Sequence, residues 1–396
     1  MRNYSLIDAP ISPDGLRAEY SPVSTGFHGE TEWSIRFHRL NNGRSEGIDL
    51  LEVDNSLVSI TIIPTRGMGL WQMMVKQEGH APLRLGWNSP ANGPVHPKFV
   101  DLHDRNGLGW LTGFDELLVR CGLVSNGPPG NDEPAGPIES QLTLHGRIAN
   151  LPAHQLEVQL VEDPEPAIQI VGAVREQCLF GQQLELQTTY TLPLNSRQLQ
   201  VTDKVVNLGS AAAEMQMLYH INIGGDWIDK GSEIIAPAKI VAPRDERAAE
   251  GIETYAQVFG PTPGYAEQVY FYDLIANAEN QSNVLLHHHS GERAVKLSID
   301  QSTLPHFVCW KNCQSEADGY CVGLEPSTNF PNFKAYERSQ GRVVSIEPGS
   351  SWTGQLKLEP LIDSVHVSEA VQELRELQSS NGEPEIHNTP KAGWGV

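Results

Sequence analysis

Positive charge is in short supply in this 396-residue chain: 28 Lys and Arg face 49 Asp and Glu, a formal net charge of −21. Nucleic acid and anionic membranes are recognised by clustered cations, so neither is expected as a partner. Long apolar runs are missing too, and none approaches the ~20 residues needed to cross a bilayer. The opening Met1–Asp8 has no apolar stretch suited to a signal peptide. Cysteine is sparse: Cys121, Cys178, Cys309, Cys313 and Cys321 form an odd set without a paired framework. Reduced thiols in a cytoplasm are the expectation. Cys309, Cys313 and Cys321 cluster with His306, but their spacing fits no common zinc motif, so small core side chains are expected there and no metal.

What the chain does have is period-2 patterning. Leu156–Leu160, Leu184–Gln187 and Leu199–Thr202 alternate apolar and polar residues, which sets one strand face against a core. Leu57–Ile63 is a more deeply apolar strand stopped by Pro64, and further strands are expected at Ala294–Ile299, Phe307–Trp310, Tyr320–Leu324, Val343–Ile346 and Ser351–Leu358. Many strands separated by turn residues predict an antiparallel sandwich or barrel. Helix is rare. The clearest case is Val367–Leu377 with Ser368 as N-cap, and a weaker one lies around Gly113–Val119. No linker divides the chain, so residues 1–377 read as one β domain and 378–396 as a flexible tail.

Four segments carry more ionisable residues, glycines and aromatics than packing requires: Pro64–Gly69 with Arg66, Leu144–Asn150 with His145 and Arg147, Met217–Gly225 with His220 and Asn222, and Gly323–Asn332 with Glu325. An arginine at a strand end suits a carboxylate or paired hydroxyls. His220 stands in an apolar strand, on one face with Leu218 and Asn222. His287–His289 project to alternate faces and cannot converge on one metal. A Gly-x-Ser-x-Gly elbow and phosphate-loop contexts are lacking.

In their order, three of these segments resemble the aldose 1-epimerase (galactose mutarotase) superfamily. Leu144-His145-Gly146 is similar to its Leu-His-Gly segment. Leu218–Gly224 is similar to the strand carrying its acid histidine, and Gly323-Leu324-Glu325 with Asn329–Asn332 to the segment carrying its base glutamate. Arg66 stands in a different local setting from the family's Asn-Arg motif, which suggests a divergent branch. The resemblance implies a large antiparallel β-supersandwich with few short helices and a sugar cleft. It also implies anomer interconversion without a cofactor, with Glu325 as base and His220 as acid. Arg66, His145, Arg147 and Asn222 would bind the substrate, and Trp71, Trp110 or Trp310 would stack on the sugar. The residues leave open a non-catalytic carbohydrate-binding protein. They also leave open another sugar isomerase, lyase or hydrolase acting on an acidic or modified sugar, an idea motivated by Arg66, Arg120 and Arg147. The oligomeric state is not legible.

Overall fold

The computed structural model describes residues 1–8, 14–27, 32–135 and 138–395. Two large sheets form the body. Nine strands make the first, in the order Arg2–Ser5, Gln155–Val161, Ala167–Gln177, Gln183–Pro193, Leu199–Asn207, Ser351–Leu361, Ala294–Asp300, Gln281–His287 and Glu233–Ile235. Thirteen strands make the second, at whose centre Leu118–Cys121, Leu218–Gly224, Cys321–Ser327, His306–Asn312 and Gln268–Leu274 lie side by side. These central pairings are antiparallel.

The alternation read from the sequence decides which residues enter the core. In Gln183–Pro193, Leu184, Leu186, Tyr190 and Leu192 are fully buried and belong to one apolar cluster. The opposite sheet sends Tyr219, Ile221 and Ile223, then Val322 and Leu324, then Tyr270 and Tyr272, into the same cluster. The other faces of those strands are therefore left for a site. Period 2 places Leu218, His220 and Asn222 there from one strand, and Gly323 and Glu325 from its neighbour.

The sequence-expected strands all form, mostly a residue or more longer than their apolar stretches. The C-terminal helix is longer as well, running Ser364–Asn381. Asp363, not Ser368, caps it, its Oδ1 accepting from the amides of Val365 and His366. Val367, Ala370 and Leu374 bury its stripe against Ile235, Leu285 and Ala294. No helix forms over Gly113–Val119. A short 3-10 turn at Gly109–Thr112 precedes it and strand Leu118–Cys121 takes over its end.

Residues 378–395, expected as a flexible tail, make packing and hydrogen-bond contacts with the body; Val396 lies outside the described residues. Glu385–Ile386 pairs in parallel with Ile240–Val241. Trp394 packs on Phe330 with centroids 5.1 Å apart, and its carbonyl accepts from Asn332 at 2.8 Å. Tyr336 and Arg342 donate to the carbonyls of Gly395 and Gly393. A lone Trp in a polar tail gave little sequence signal, because its partners are distant in the chain. No helix among the described residues is long and apolar enough to cross a membrane.

Candidate active site

The register between Leu218–Gly224 and Cys321–Ser327 pairs Ile221 with Leu324 and Asn222 with Gly323, which sets His220 across from Glu325. Their side chains meet, His220 Nε2 lying 3.2 Å from Glu325 Oε1, and both are almost wholly buried. Gly323 makes the meeting possible: a Cβ there would stand 2.6 Å from Glu325 Oε1 and 3.2 Å from His220 Cε1. Any other residue at 323 would push into the pair.

Asn222 fixes the imidazole. Its Nδ2 donates to the carbonyls of Glu116 (3.0 Å) and His220 (3.2 Å), so its Oδ1 faces His220 Nδ1 at 2.6 Å as an acceptor. Nδ1 must then carry a proton, and Nε2 is the nitrogen presented to Glu325 and the pocket. His145 is set in the same way: its Nδ1 donates to the Asn126 carbonyl at 2.8 Å, leaving Nε2 free. The two imidazoles lie 5.8 Å apart between centroids.

Aromatic rings wall the site. Trp110 lies 4.7 Å from the His145 ring, while Phe114 and Trp310 lie 5.0 and 5.2 Å from His220. Together with Leu144, Val269 and Pro331 they line a pocket of about 310 Å³ reaching His145, His220 and Glu325. Arg244 and Glu267 stand at it as an ion pair 3.0 Å apart. Glu267 also accepts from Trp310 Nε1 at 2.6 Å, which holds that indole as a wall. The indole nitrogen of Trp110 is buried without a partner among the described residues.

Burial governs the electrostatics. Desolvation pushes the Glu325 carboxyl well above its ordinary range, Glu267 adding to the rise. It lowers His220 to about 3 and His145 to about 4. Each shift penalises the charged form. Nε2 and Oε1 lie 3.2 Å apart, close enough for the two groups to titrate as a coupled pair, although Oε1 accepts no hydrogen bond among the described residues.

Of the residues expected to bind substrate, His145 reaches the pocket and three do not. Arg66 is sealed, its side chain 0% exposed, with Nε on Glu116 at 2.7 Å and Nη1 on the Val95 carbonyl and Asn150. It supports the site at a distance: Arg66 holds Glu116, whose carbonyl holds Asn222, which holds His220. Asn222 itself is fully buried and turned to His220 rather than to the cavity. Arg147 faces a different cavity, beyond the His145 turn. Arg120 is likewise sealed, paired with Asp203 and bonded to Tyr190 and the Met68 carbonyl. Trp71 bonds Asp115 and packs with Ile48, Leu50 and Ile63, away from the pocket. Sequence reasoning missed Phe114, Arg244 and Glu267. None sits in a distinctive local pattern: Phe114 lies in the loop before strand Leu118–Cys121, and Arg244 and Glu267 flank the paired strands Ala238–Pro243 and Gln268–Leu274.

Two packed antiparallel sheets with a polar pair on the outer face of one define a mutarotase-like β-sandwich. The chain belongs to the family of the domain of unknown function DUF4432, whose profile matches residues 45–359. Among solved structures it is similar to a candidate aldose 1-epimerase from Klebsiella pneumoniae subsp. pneumoniae, at 28% identity over 99% of both chains with a TM-score of 0.90. A galactose mutarotase-like protein from Clostridium acetobutylicum shares 16% identity, with a TM-score of 0.55 over 82% of this chain and 98% of that one. A galactose mutarotase related enzyme from Lactobacillus acidophilus shares 11%, with a TM-score of 0.51 over 78% and 97%. These last two likenesses concern the fold alone. A search of curated proteins finds no match.

Proposed function

We propose that this protein is an isomerase of the aldose 1-epimerase type, interconverting the anomers of an uncharged aldose without a cofactor, in a cytoplasm. The observation that carries the reading is the buried His220–Glu325 contact of 3.2 Å at an aromatic-walled pocket. The likeness to the Klebsiella protein supports it.

The chemistry follows from where the reacting oxygens sit. O1 and O5 of a hemiacetal are bonded to the same carbon, so acid and base must stand side by side. With the pair's proton on His220, Glu325 takes the O1 proton while His220 gives its proton to O5, and the C1–O5 bond opens to the aldehyde. Rotation about C1–C2 presents the other carbonyl face, and the reverse transfers close the ring. Opening converts an ion pair into a neutral pair, the form that burial favours. A carboxylate of raised proton affinity is the stronger base, and an imidazolium of lowered pKa the stronger acid. The same burial makes the ion-pair form the minor one in the empty site. His145 Nε2 and the Trp110 N–H would orient hydroxyls, with Trp110, Phe114 and Trp310 against the apolar face of the ring.

Charge favours a neutral sugar over an acidic one. Arg66 and Arg120 are committed to buried carboxylates and Arg147 lies elsewhere. Arg244 is flanked by Glu267 and Asp245. The pocket volume of about 310 Å³ lies at the small end of ligand sites, consistent with a monosaccharide. The test is a panel of neutral and acidic aldoses followed by saturation-transfer NMR, with mutarotation rates by polarimetry. Glu325→Gln and His220→Asn are each expected to lower the rate on the responsive sugar by about 10²-fold or more. Near-normal rates in both variants would overturn the catalytic reading, and binding without anomer exchange in the native protein would make it a carbohydrate-binding protein.

A further inference from the structure

The turn that carries His145 has two sides. Leu144 and His145 line the pocket described above, whereas Thr143, Gly146 and Arg147 line a second, separate cavity. This second cavity measures about 100 Å³ and is closed on its other sides by Val124–Ser125 and by the end of strand Ala167–Gln177. Nothing in the aldose reading uses it.

Its polar groups are unusually free. Ser125 and Thr143 are 2% and 3% exposed, yet neither hydroxyl has a hydrogen-bond partner among the described residues. Buried hydroxyls left unpaired cost about 1–3 kcal/mol each, so such groups are normally satisfied by a ligand or water. The half-buried Arg147 side chain makes no hydrogen bond or ion pair among the described residues, in contrast to Arg66 and Arg120. Glu176 faces the cavity as an acceptor, one of its oxygens already taken by the Leu123 amide at 2.8 Å. Val124, Leu142 and Leu151 supply an apolar side.

We propose that this cavity is a second binding site, for a small uncharged polyol of about three or four carbons. The mixture of donors and acceptors decides the class. A simple oxyanion would pair with Arg147 but would meet Glu139 and Glu176 in the same space, while Arg175 is already held by Glu185 at 2.7 Å. A polyol donates to the carboxylates, accepts from Arg147 and the hydroxyls, and lays its carbons on the leucines. The two cavities share one stretch of chain, Thr143–Arg147, which backbone hydrogen bonds fix: the His145 amide donates to the Gly127 carbonyl, and the His145 carbonyl accepts from the Gly122 amide.

The probe is erythritol, with glycerol, acetate and inorganic phosphate as the comparison arms. Crystals of the full chain soaked in erythritol are expected to show it against Ser125, Thr143 and Arg147, and ligand-observed NMR is expected to show saturable binding. Thr143→Val exchanges a hydroxyl for a methyl of the same shape, and together with Arg147→Met it is expected to weaken erythritol binding about tenfold or more. Erythritol persisting at native affinity in that variant, or found only in the His220 pocket, overturns the site. Water alone in the cavity at saturating erythritol does the same. Acetate or phosphate occupying it in preference to erythritol overturns the ligand class. None of these readouts depends on whether the protein turns over an aldose.

Discussion

The proton held by the buried His220–Glu325 pair makes stability depend on pH in a way that one substitution reverses. In the fold, Glu325 is held well above its ordinary 4.5 and His220 is lowered from 6.5 to about 3. Above about pH 3 the folded pair therefore carries one proton, resting on Glu325, until the raised carboxyl releases it. In the unfolded chain both groups titrate near their ordinary values. Between about pH 4.5 and 6.5 the unfolded pair also carries one proton, on the imidazole, and the pair contributes no pH slope. Below about 4.5 the unfolded pair takes a second proton that folded His220 refuses, so stability falls towards acid. Above about 6.5 the unfolded imidazole loses its proton while the folded carboxyl keeps its own. As long as the raised carboxyl holds that proton, folded exceeds unfolded by up to one proton, and stability falls as pH rises, by at most about 1.4 kcal/mol per unit. Glu325→Gln removes the retained proton and with it the alkaline decline. The acid-side contribution of His145, lowered to about 4, is common to both proteins and cancels. Urea unfolding at pH 6.5 and 8.0 measures the difference directly. The expected result is a variant whose stability rises relative to the native protein over this interval. A difference between the two proteins that stays constant from pH 6.5 to 8.0 would refute the retention of a proton on buried Glu325.

Other substitutions test the supports of the pair. Gly323→Ala puts a methyl 2.6 Å from Glu325 Oε1, so it is expected to cost about 1–3 kcal/mol of stability and to lower mutarotation more than sugar binding, read as kcat against KM. Arg66→Met leaves Glu116 as an unpaired buried charge, and urea unfolding is expected to show a loss of about 3–5 kcal/mol. Asn222→Leu removes the acceptor on His220 Nδ1 and frees the tautomer. Its mutarotation rate is expected to fall at least tenfold with sugar affinity nearly kept, as measured by polarimetry and NMR titration. Trp394→Ala removes the ring packed on Phe330, next to pocket-lining Pro331, so faster amide exchange at Phe330–Asn332 is expected, by mass spectrometry.

Period-2 alternation made the β-sandwich legible, because burial on one face of a strand is a local property of sequence. The same rule placed His220 correctly on the outer face with Asn222, and the motif order joined it to Glu325 and His145. The arginines were misread for a physical reason. A guanidinium at a strand end looks the same in sequence whether it meets a ligand or a buried carboxylate, and the partners of Arg66 and Arg120 lie 50 and 83 residues away. Asn222 was misassigned for a similar reason: alternation gives the face of a residue, but not whether its amide turns to the cavity or back to a neighbouring imidazole.

The sealed arginines also change what the excess of acid means. A locally basic cleft would need cations free to face a ligand, yet Arg66 and Arg120 are neutralised in the interior and Arg244 is flanked by two carboxylates. His145 and His220 are held neutral by burial. The pocket is therefore close to uncharged, set in a chain of net charge −21. A substrate carrying a carboxylate or phosphate would be repelled at a distance by the acidic surface and would find no unpaired guanidinium on arrival. A neutral sugar meets neither obstacle, and its binding rests on ring stacking and directed hydrogen bonds. The binding constant for such a sugar should accordingly change little between 50 mM and 500 mM salt, by titration calorimetry. Strong weakening with added salt would point back to a charged ligand held by Arg244.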